Sequence, residues 1–292
     1  MNGILLVDKP TDWTSSDVVV KLKGVLHERR IGHAGTLDPM ATGLLTVFVG
    51  RATRAVEFAE AHDKRYTAHL RLGVETDTQD ITGTVLRQMP APDIEKAELD
   101  AVLMRFLGEQ EQLPPMYSAI KVKGQKLYDI ARAGGTVERQ TRKIRVDSLA
   151  VTGRDNGDYV LDIACSKGTY VRTLCHDIGA LLGCGGCMSA LRRTRAGEFD
   201  IASAHTLDEI ISAAAKGEAE KLLLPVYVLF ADKPAWRAND LAVKKIKCGN
   251  AVKAAGLAAG EYRVYSESGE FLMLGRAENG MMKTVKSFFE VN

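Results

Sequence analysis

The chain has little cysteine, few aromatic residues and no long apolar run. Its 292 residues include 5 cysteines and 2 tryptophans, and cysteines this few and this irregularly spaced do not form a disulfide scaffold. The longest apolar stretches are residues 43–50 and 222–231, well short of the roughly 20 residues that a membrane-spanning helix needs. No basic segment precedes the first apolar run, which argues against a signal peptide. We therefore expect a cytoplasmic protein without membrane contacts.

Motifs for nucleotide cofactors and for metals are also missing. Neither GxGxxG nor GxxxxGK[ST] occurs, which disfavours the dinucleotide-binding and P-loop folds. Cys184 and Cys187 have the spacing of a zinc or redox pair, but no second ligand pair follows at a usual distance and the motif comes late in the chain. A tight turn between a helix and a strand is the favoured interpretation. We expect no metal and no cofactor.

Net charge is small, at +2, yet the charged residues are unevenly distributed. Residues 119–145 hold eight basic and two acidic side chains, whereas residues 75–112 hold nine acidic and three basic ones. A folded chain with this segregation can present a basic face to a polyanion such as RNA and an acidic face to solvent. Ordinary solvated surfaces are the alternative, and charge alone does not decide between the two.

Composition and periodicity indicate a mixed globular protein. Hydrophobic residues make up 46% and charged residues 26% of the chain, and at roughly 150 residues per domain its length suggests two domains. Helical and strand-like patterns alternate without regular βαβ units, which predicts an α+β fold around a largely antiparallel sheet. After residue 230 a lysine-rich helix precedes three short strands separated by glycines. We expect a domain over residues 1–230 and a small β-rich domain over residues 231–292.

The most informative segment covers residues 32–45. It contains three glycines, a proline, a histidine and one carboxylate, Asp38, a composition typical of a functional loop. Pro39 favours an extended backbone at Asp38. An exposed aspartate has a pKa of about 3.9 and is an anion at neutral pH, so it needs no general base to act as a nucleophile. A simple turn is the alternative for Asp-Pro in a glycine-rich loop.

Six motifs follow one another along the chain. They comprise residues 3–10 with 14–16, residues 32–45, residues 64–66, residues 114–121 with 128–132, residues 165–172 and residues 191–193. In this order they resemble the motifs of the TruB-type tRNA pseudouridine synthases, which isomerise uridine 55 in the T loop, and the resemblance covers most of the first 230 residues. The family usually has glycine where Asp12 stands and commonly histidine where Asp17 stands. The C-terminal segment resembles the small PUA-type RNA-binding domain.

The resemblance implies the pseudouridine synthase fold and a cofactor-free catalytic centre. Asp38 would be the nucleophile, and Arg172 would pair with it, since a guanidinium favours the charged form of a carboxylate. Tyr66 would stack on the uracil and relay a proton, and Tyr170 and Leu191 would line the uridine pocket. The alternatives are a phosphate contact for Arg172 and ordinary core packing for Tyr66 and Leu191.

The resemblance also implies base flipping, because a uridine folded inside the T loop is inaccessible. His33 would fill the gap that the extruded base leaves; the alternative is a loop histidine bonded to its own backbone. Basic residues of the motifs and of the basic stretch 119–145 would contact phosphates without reading sequence. These residues are Lys9, Lys121, Arg132, Arg142, Lys143, Arg192 and Arg193.

The sequence therefore predicts a monomeric enzyme that acts on the T stem-loop of tRNA without an obligate protein partner. A non-catalytic RNA-binding or tRNA-folding protein on the same fold is the rival hypothesis, although binding alone does not require Asp38, Tyr66 and Arg172 together. A hydrolase with an aspartate nucleophile is a second rival. It would need a general base or a metal cluster to activate water, and the motifs contain neither.

Overall fold

The computed structural model describes residues 1–118, 120–122 and 124–289. Its α-helices are α1 (Ser15–Val25), α2 (Val56–Glu60), α3 (Lys96–Leu103), α4 (Leu127–Arg132), α5 (Val171–Leu181), α6 (Leu207–Ala215) and α7 (Asp240–Lys247). Its strands up to residue 165 are β1 (Gly3–Lys9), β2 (Ile31–Ala34), β3 (Thr42–Val49), β4 (Lys64–Leu72), β5 (Val74–Thr76), β6 (Val85–Gln88), β7 (Gly108–Gln112), β8 (Lys121–Val122), β9 (Gln125–Lys126), β10 (Arg142–Asp155) and β11 (Asp158–Cys165). The later strands are β12 (Gly186–Ala196), β13 (Phe199–Asp200), β14 (His205–Thr206), β15 (Ala235–Ala238), β16 (Val252–Lys253), β17 (Gly260–Ser266), β18 (Phe271–Glu278) and β19 (Met281–Ser287).

A mixed sheet forms the centre of the molecule. Its strands follow the order β14-β1-β3-β12-β4-β11-β10-β7, with β2 paired to β3 and β13 to β12. Only the β1–β14 and β3–β12 pairs are parallel among the described strands of this sheet. The predicted α+β class with a largely antiparallel sheet is therefore confirmed. The strand β12 lies between β3, which follows the loop that contains Asp38, and β4, which carries Tyr66.

Helices close two hydrophobic clusters against the sheet. In one cluster α3 and α5 pack on β4, β10 and β11, around residues such as Leu161 and Ile178. In the other α1 and α6 pack on β1 and β3, around Leu5. The opposite face of β1 and β3 is buried in a further cluster that includes Ile4. Burial of apolar side chains on both faces is what allows the central strands to be almost continuously hydrophobic.

From the sequence, Ser15 or Ser16 is the expected N-cap of a helix whose apolar residues fall at positions 18, 22, 25 and 26. In the structure the N-cap of α1 is Thr14, and its hydroxyl accepts a hydrogen bond from the Asp17 amide at 3.0 Å. The Asp17 carboxylate accepts in return from the Thr14 amide at 2.9 Å, which completes a capping box. The aspartate at position 17 therefore has a local role in starting this helix.

The Cys184–Cys187 motif forms the connection from α5 to β12, as the turn interpretation predicts. Both cysteines are buried, and Gly185 has a φ of +73°. At Gly179 in α5 a Cβ atom would lie 2.2 Å from the amide nitrogen of Gly186, so the helix and the strand approach too closely for any side chain there. Small residues at this connection serve packing.

A second sheet of five strands, in the order β15-β17-β18-β19-β16, lies in the C-terminal part. Phe230, at the end of the preceding segment, contacts both Phe271 and Phe288 of this part with ring centroids 6.3 and 6.0 Å apart. Lys286 adds an ion pair with Glu57 at 2.6 Å. The two sheets are thus joined by an aromatic core. None of the helices in the described residues has the length and apolar composition needed to cross a bilayer.

Candidate active site

The segment between β2 and β3, residues 35–41, is an irregular loop fixed by backbone contacts. Ser15 clamps Leu37 from two sides, since its hydroxyl accepts from the Leu37 amide at 2.9 Å and donates to the Leu37 carbonyl at 3.2 Å. The Pro39 carbonyl accepts from the Lys9 ammonium at 3.1 Å and from the Asp12 amide at 2.9 Å. Asp12 has a φ of +62°, the left-handed region that glycine adopts most readily. Asp38 is therefore held at a defined position.

Asp38 lies against a buried arginine that bridges two carboxylates. Arg172, in the first turn of α5, has only 7% of its side chain exposed. Its Nη2 is 3.0 Å from Oδ2 of Asp38, and its Nη1 is 3.5 Å from Oδ2 of Asp80. The pairing of Asp38 with Arg172 expected from the motifs is thus present in the structure.

Asp80 is a site residue that the sequence analysis missed. Its Oδ1 accepts from the Thr82 amide at 3.0 Å and from the hydroxyls of Thr78 and Thr82 at 2.9 and 2.6 Å. These bonds hold a buried carboxylate in place on the far side of Arg172. The sequence of residues 76–83 indicates only a polar loop, because no local pattern shows that one of its aspartates points into the core.

The environment of Asp38 shifts its titration. Burial raises the pKa of Asp38 above its usual range, Arg172 acts in the opposite direction, and Asp80 raises the pKa further. The side chain of Asp38 is 36% exposed, so its carboxylate is partly buried and not freely solvated. The sequence analysis treated it as an exposed aspartate. A partly desolvated carboxylate carries a weaker hydration shell and is a better nucleophile than one in bulk water.

Two of the three predicted pocket residues belong to one core cluster. Tyr66 on β4 packs half-buried against this cluster, which also contains Leu191 of β12 and Leu37 of the loop that bears Asp38. Tyr170 immediately precedes α5, and its backbone is fixed by the Gln112 side chain, which accepts from the Tyr170 amide at 2.8 Å and donates to its carbonyl at 3.0 Å. Burial raises the pKa of Tyr66, so its hydroxyl is protonated at neutral pH.

His33 lies in strand β2 and not in the loop that the sequence analysis predicted. It is paired with Val47 of β3, and its buried Nδ1 has no hydrogen-bond partner among the described residues. Burial, aided by the charge of Arg193, lowers the pKa of His33, so its imidazole is neutral at pH 7. The alternative interpretation was a histidine bonded to its own backbone. In this structure Nδ1 of His33 makes no such bond.

Two residues predicted to contact phosphates are inaccessible. Lys9 is fully buried and donates to the carbonyls of Pro10, Trp13 and Pro39, and burial lowers its pKa to about 8. Arg193 is 1% exposed and donates to the carbonyl of Gly35, at the start of the loop that bears Asp38, and to that of Leu44 in β3. Both cations are structural supports of the loop in this conformation and not phosphate contacts.

The other predicted phosphate contacts are at the surface. Lys121, Arg132, Arg142 and Lys143 are exposed. Arg192 is partly exposed, is held by Asp8 at 2.7 Å, and lines a groove of about 560 Å³ beside the catalytic loop.

The acidic and basic segments are not fully separated. Strand β7 of the acidic segment pairs with β10 of the basic one, and this register places Glu111 opposite Lys143 and Glu109 opposite Arg145. The expected division into a basic and an acidic face is therefore partly cancelled along this edge of the sheet.

Known proteins are similar to this chain both in fold and in sequence. A crystal structure of a Cbf5-Nop10-Gar1 complex matches with a TM-score of 0.74 and 26% identity over 99% of this chain and 85% of that one. A structure of an H/ACA ribonucleoprotein bound to a substrate RNA containing 2'-deoxyuridine matches with the same TM-score at 24% identity, covering 99% of this chain and 86% of that one. The fold is that of the pseudouridine synthases.

Sequence relatives narrow this class. The model of the TruB family pseudouridylate synthase N-terminal domain matches residues 23–171, and that of the tRNA pseudouridylate synthase B C-terminal domain matches residues 172–230. A tRNA pseudouridine synthase B from Opitutus terrae is 50% identical over 78% of this chain and 94% of its own length. Its counterpart from Bacillus subtilis is 39% identical over 98% of this chain and 97% of its own. The chain belongs to the TruB family of pseudouridylate synthases.

Proposed function

We propose that this protein isomerises uridine 55 in the T loop of tRNAs to pseudouridine, with Asp38 as the nucleophile. The observation that carries the proposal is the Asp38 carboxylate held 3.0 Å from the buried guanidinium of Arg172. The relatives named tRNA pseudouridine synthase B support the substrate class, since two of them match over more than three quarters of this chain.

The reaction needs a nucleophile and proton transfer but no added group. The bond from N1 of the uracil to C1′ of the ribose breaks, the base turns, and a bond from C5 to C1′ forms, while the C5 proton leaves to water and N1 takes up a proton. Asp38 forms a transient bond to the substrate, and that bond breaks when the product forms, which regenerates the carboxylate. Arg172 keeps the carboxylate ionised and oriented, because a buried guanidinium opposes the effect of desolvation on its pKa. Asp80 in turn fixes the other side of Arg172.

Tyr66 stacks on the uracil and relays a proton at the stage when the base rejoins the ribose. Its raised pKa supports this role because a protonated hydroxyl has a hydrogen to donate. Tyr170 and Leu191 flank the uracil. Shared packing of Tyr66 and Leu191 with the loop that bears Asp38 supports a single pocket for the base.

Base flipping exposes the target uridine, and His33 takes the place that the base leaves. Extrusion costs a few kcal/mol of lost stacking, and a neutral imidazole offers both a stacking face and free nitrogens to offset it. The unpartnered Nδ1 and the lowered pKa of His33 support this assignment.

The exposed cations bind the phosphates of the T stem-loop. We assign catalysis to residues 1–230 and accessory RNA binding to residues 231–292, in a cytoplasmic monomer that needs no protein partner. The sheet topology supports this division, because β15 to β19, all after residue 230, form a five-stranded sheet of their own. The match to the Opitutus terrae relative covers 78% of this chain and 94% of that protein, so about a fifth of this chain lies outside it.

A tritium-release assay tests the proposal. A T stem-loop RNA labelled at C5 of its uridines should release one tritium per RNA to water with the purified protein and none with Asp38→Asn. Asp162→Asn is the matched control, because Asp162 is an aspartate that pairs with Arg65 at 2.8 Å at the surface. Primer-extension mapping of the product should locate pseudouridine at position 55. Binding without release would exclude catalysis on this RNA and favour the tRNA-folding protein, while release from another uridine would exclude position 55.

A further inference from the structure

Arg193 is a fully buried cation without a carboxylate partner within the described part of the chain. Its Nε donates to the Leu44 carbonyl at 2.7 Å and its Nη2 to the Gly35 carbonyl at 2.8 Å. These two carbonyls stand at the two ends of the loop that carries Asp38. Arg193 is also the cross-strand partner of Tyr66, and its charge acts on the Tyr66 hydroxyl.

Burying a guanidinium is costly unless its donors are satisfied. Arg193 meets this condition with two backbone carbonyls, neither of which carries a charge. Arg71, a more exposed arginine of the neighbouring strand β4, is instead neutralised by Asp158 at 2.8 Å. A structural ion pair would have been the ordinary solution. The contacts of Arg193 are instead directed at the catalytic loop and at Tyr66.

The sheet register explains how Arg193 reaches both the loop that bears Asp38 and Tyr66. In β12, Arg193 is paired with Gly43 of β3 on one side and with Tyr66 of β4 on the other. The approach to β3 is close, because a Cβ atom on Gly43 would lie 2.4 Å from the Arg193 carbonyl oxygen. At Gly35 a Cβ atom would lie 3.2 Å from Nη1 of Arg193, and the φ of Gly35 is +71°. Two glycines of the catalytic segment thus make room for Arg193.

We propose that Arg193 is a positioning residue that ties the loop bearing Asp38 to β12 beside Tyr66, so that nucleophile and base-stacking ring are held in one geometry. This inference rests on the proposed function, because it assigns a purpose to the relative placement of these two groups. Arg193 is 1% exposed and acts through the loop and through Tyr66. Its planar fork spans several acceptors at once, whereas the single ammonium of a lysine cannot reach all of them in their observed places.

The test compares Arg193→Lys with the unaltered full-length protein and with Arg71→Lys as the matched control. Arg71→Lys also removes a forked guanidinium contact from the same sheet, but the hydrogen bonds of its partner Asp158 are to Arg71 and Ser189 and not to the loop that bears Asp38. Three quantities are measured for each protein: the single-turnover rate at saturating T stem-loop RNA, the RNA dissociation constant, and hydrogen–deuterium exchange of residues 35–44.

For Arg193→Lys we expect the rate to fall about 100-fold, the loss typical of a misplacement of about 1 Å at a catalytic group. The dissociation constant should stay within about threefold, because Arg193 has no exposed surface for RNA. Exchange should rise in residues 35–44 and not in the C-terminal sheet. Arg71→Lys should keep rate and loop exchange close to those of the parent.

Two results would overturn the inference. One is a rate for Arg193→Lys close to the parent's; the other is an equal loss of rate in Arg71→Lys, which would show a general effect of destabilisation. The exchange measurement separates this inference from the proposed function. If the parent protein makes no pseudouridine, the proposed function fails, and exchange in residues 35–44 alone then decides whether Arg193 fixes the loop: increased exchange supports the clamp, and unchanged exchange refutes it.

Discussion

Gly43 lies at the start of β3, just after the loop that bears Asp38, and pairs with Arg193 of β12. Replacing Gly43 by alanine should lower both stability and activity. Gly43 has a φ of +97°, and a Cβ atom there would lie 2.4 Å from the carbonyl oxygen and 2.8 Å from the amide nitrogen of Arg193. These neighbours are backbone atoms of a central strand, so they cannot turn aside as a flexible side chain would. Gly43→Ala therefore combines two costs, a strained backbone and a steric clash.

The expected loss of stability follows from these two costs. A non-glycine residue in the left-handed region costs about 1–2 kcal/mol, and overpacking of a closely packed site costs typically about 1–3 kcal/mol. Together they predict a loss of about 2–5 kcal/mol in the free energy of unfolding, or a fall in Tm of roughly 5–15 °C for a chain of this size. Activity should fall as well, because relief of the clash moves β3 away from β12 and displaces the loop bearing Asp38.

Urea unfolding followed by circular dichroism, together with the tritium-release rate, measures both effects. Gly217→Ala is the matched control, because Gly217 has a φ of +71° but no atom within 4 Å of the Cβ position. It should show the backbone cost alone, about 1–2 kcal/mol, and full activity. Equal losses of stability in the two variants would refute the argument from close approach. A fully active Gly43→Ala would refute the link between strand spacing and the catalytic loop.

Three further predictions concern the site. The single-turnover rate should fall with decreasing pH, with a midpoint above the usual aspartate pKa of about 3.9, because burial raises the pKa of Asp38 and only its ionised form reacts. Arg172→Met removes the group that lowers this pKa, so the acid limb of the pH profile should move to higher pH. An unshifted acid limb would contradict the assignment. Asp80→Asn removes the fixed charge behind Arg172 and should reduce the rate about 10- to 100-fold with little change in RNA affinity; a change confined to the dissociation constant would instead place Asp80 in RNA binding. Lys143→Gln should lower the slope of log affinity against log salt by about one, because one phosphate contact is lost. For Lys143, an unchanged slope in filter-binding titrations would remove it from the RNA surface.

Several elements follow from local sequence alone. The alternation at residues 66, 68, 70 and 72 predicts β4, the apolar spacing after residue 171 predicts α5, and the lysine-rich stretch predicts α7. These signals are readable because a half-buried strand repeats every two residues and a helix every 3.6. The glycines at 260, 269 and 280 likewise delimit the last three strands. Boundaries were less accurate, as the capping of α1 by Thr14 shows.

The charged residues show where local sequence stops being informative. Lys9, Arg192 and Arg193 are all cations that the sequence assigns to phosphate contacts. In the structure Lys9 and Arg193 are buried beneath the loop that bears Asp38, while Arg192 remains at the surface. Burial of a cation depends on carbonyl groups that distant segments bring to it, such as Pro39 for Lys9 and Gly35 for Arg193. No pattern near these residues encodes those partners.

The sequence by itself indicated the class of fold through hydrophobic periodicity, and it pointed to Asp38 as the candidate nucleophile through the resemblance of its motifs, because both signals are read along the chain. Only the tertiary structure decided what surrounds that aspartate. It brought Arg172 from α5 and Asp80 from the polar loop to one site, and it placed Arg193 behind the loop. The pKa of Asp38 depends on burial and on the charges of Arg172, Asp80 and Lys9. These effects depend on distances in space, which residues far apart in the chain acquire only on folding.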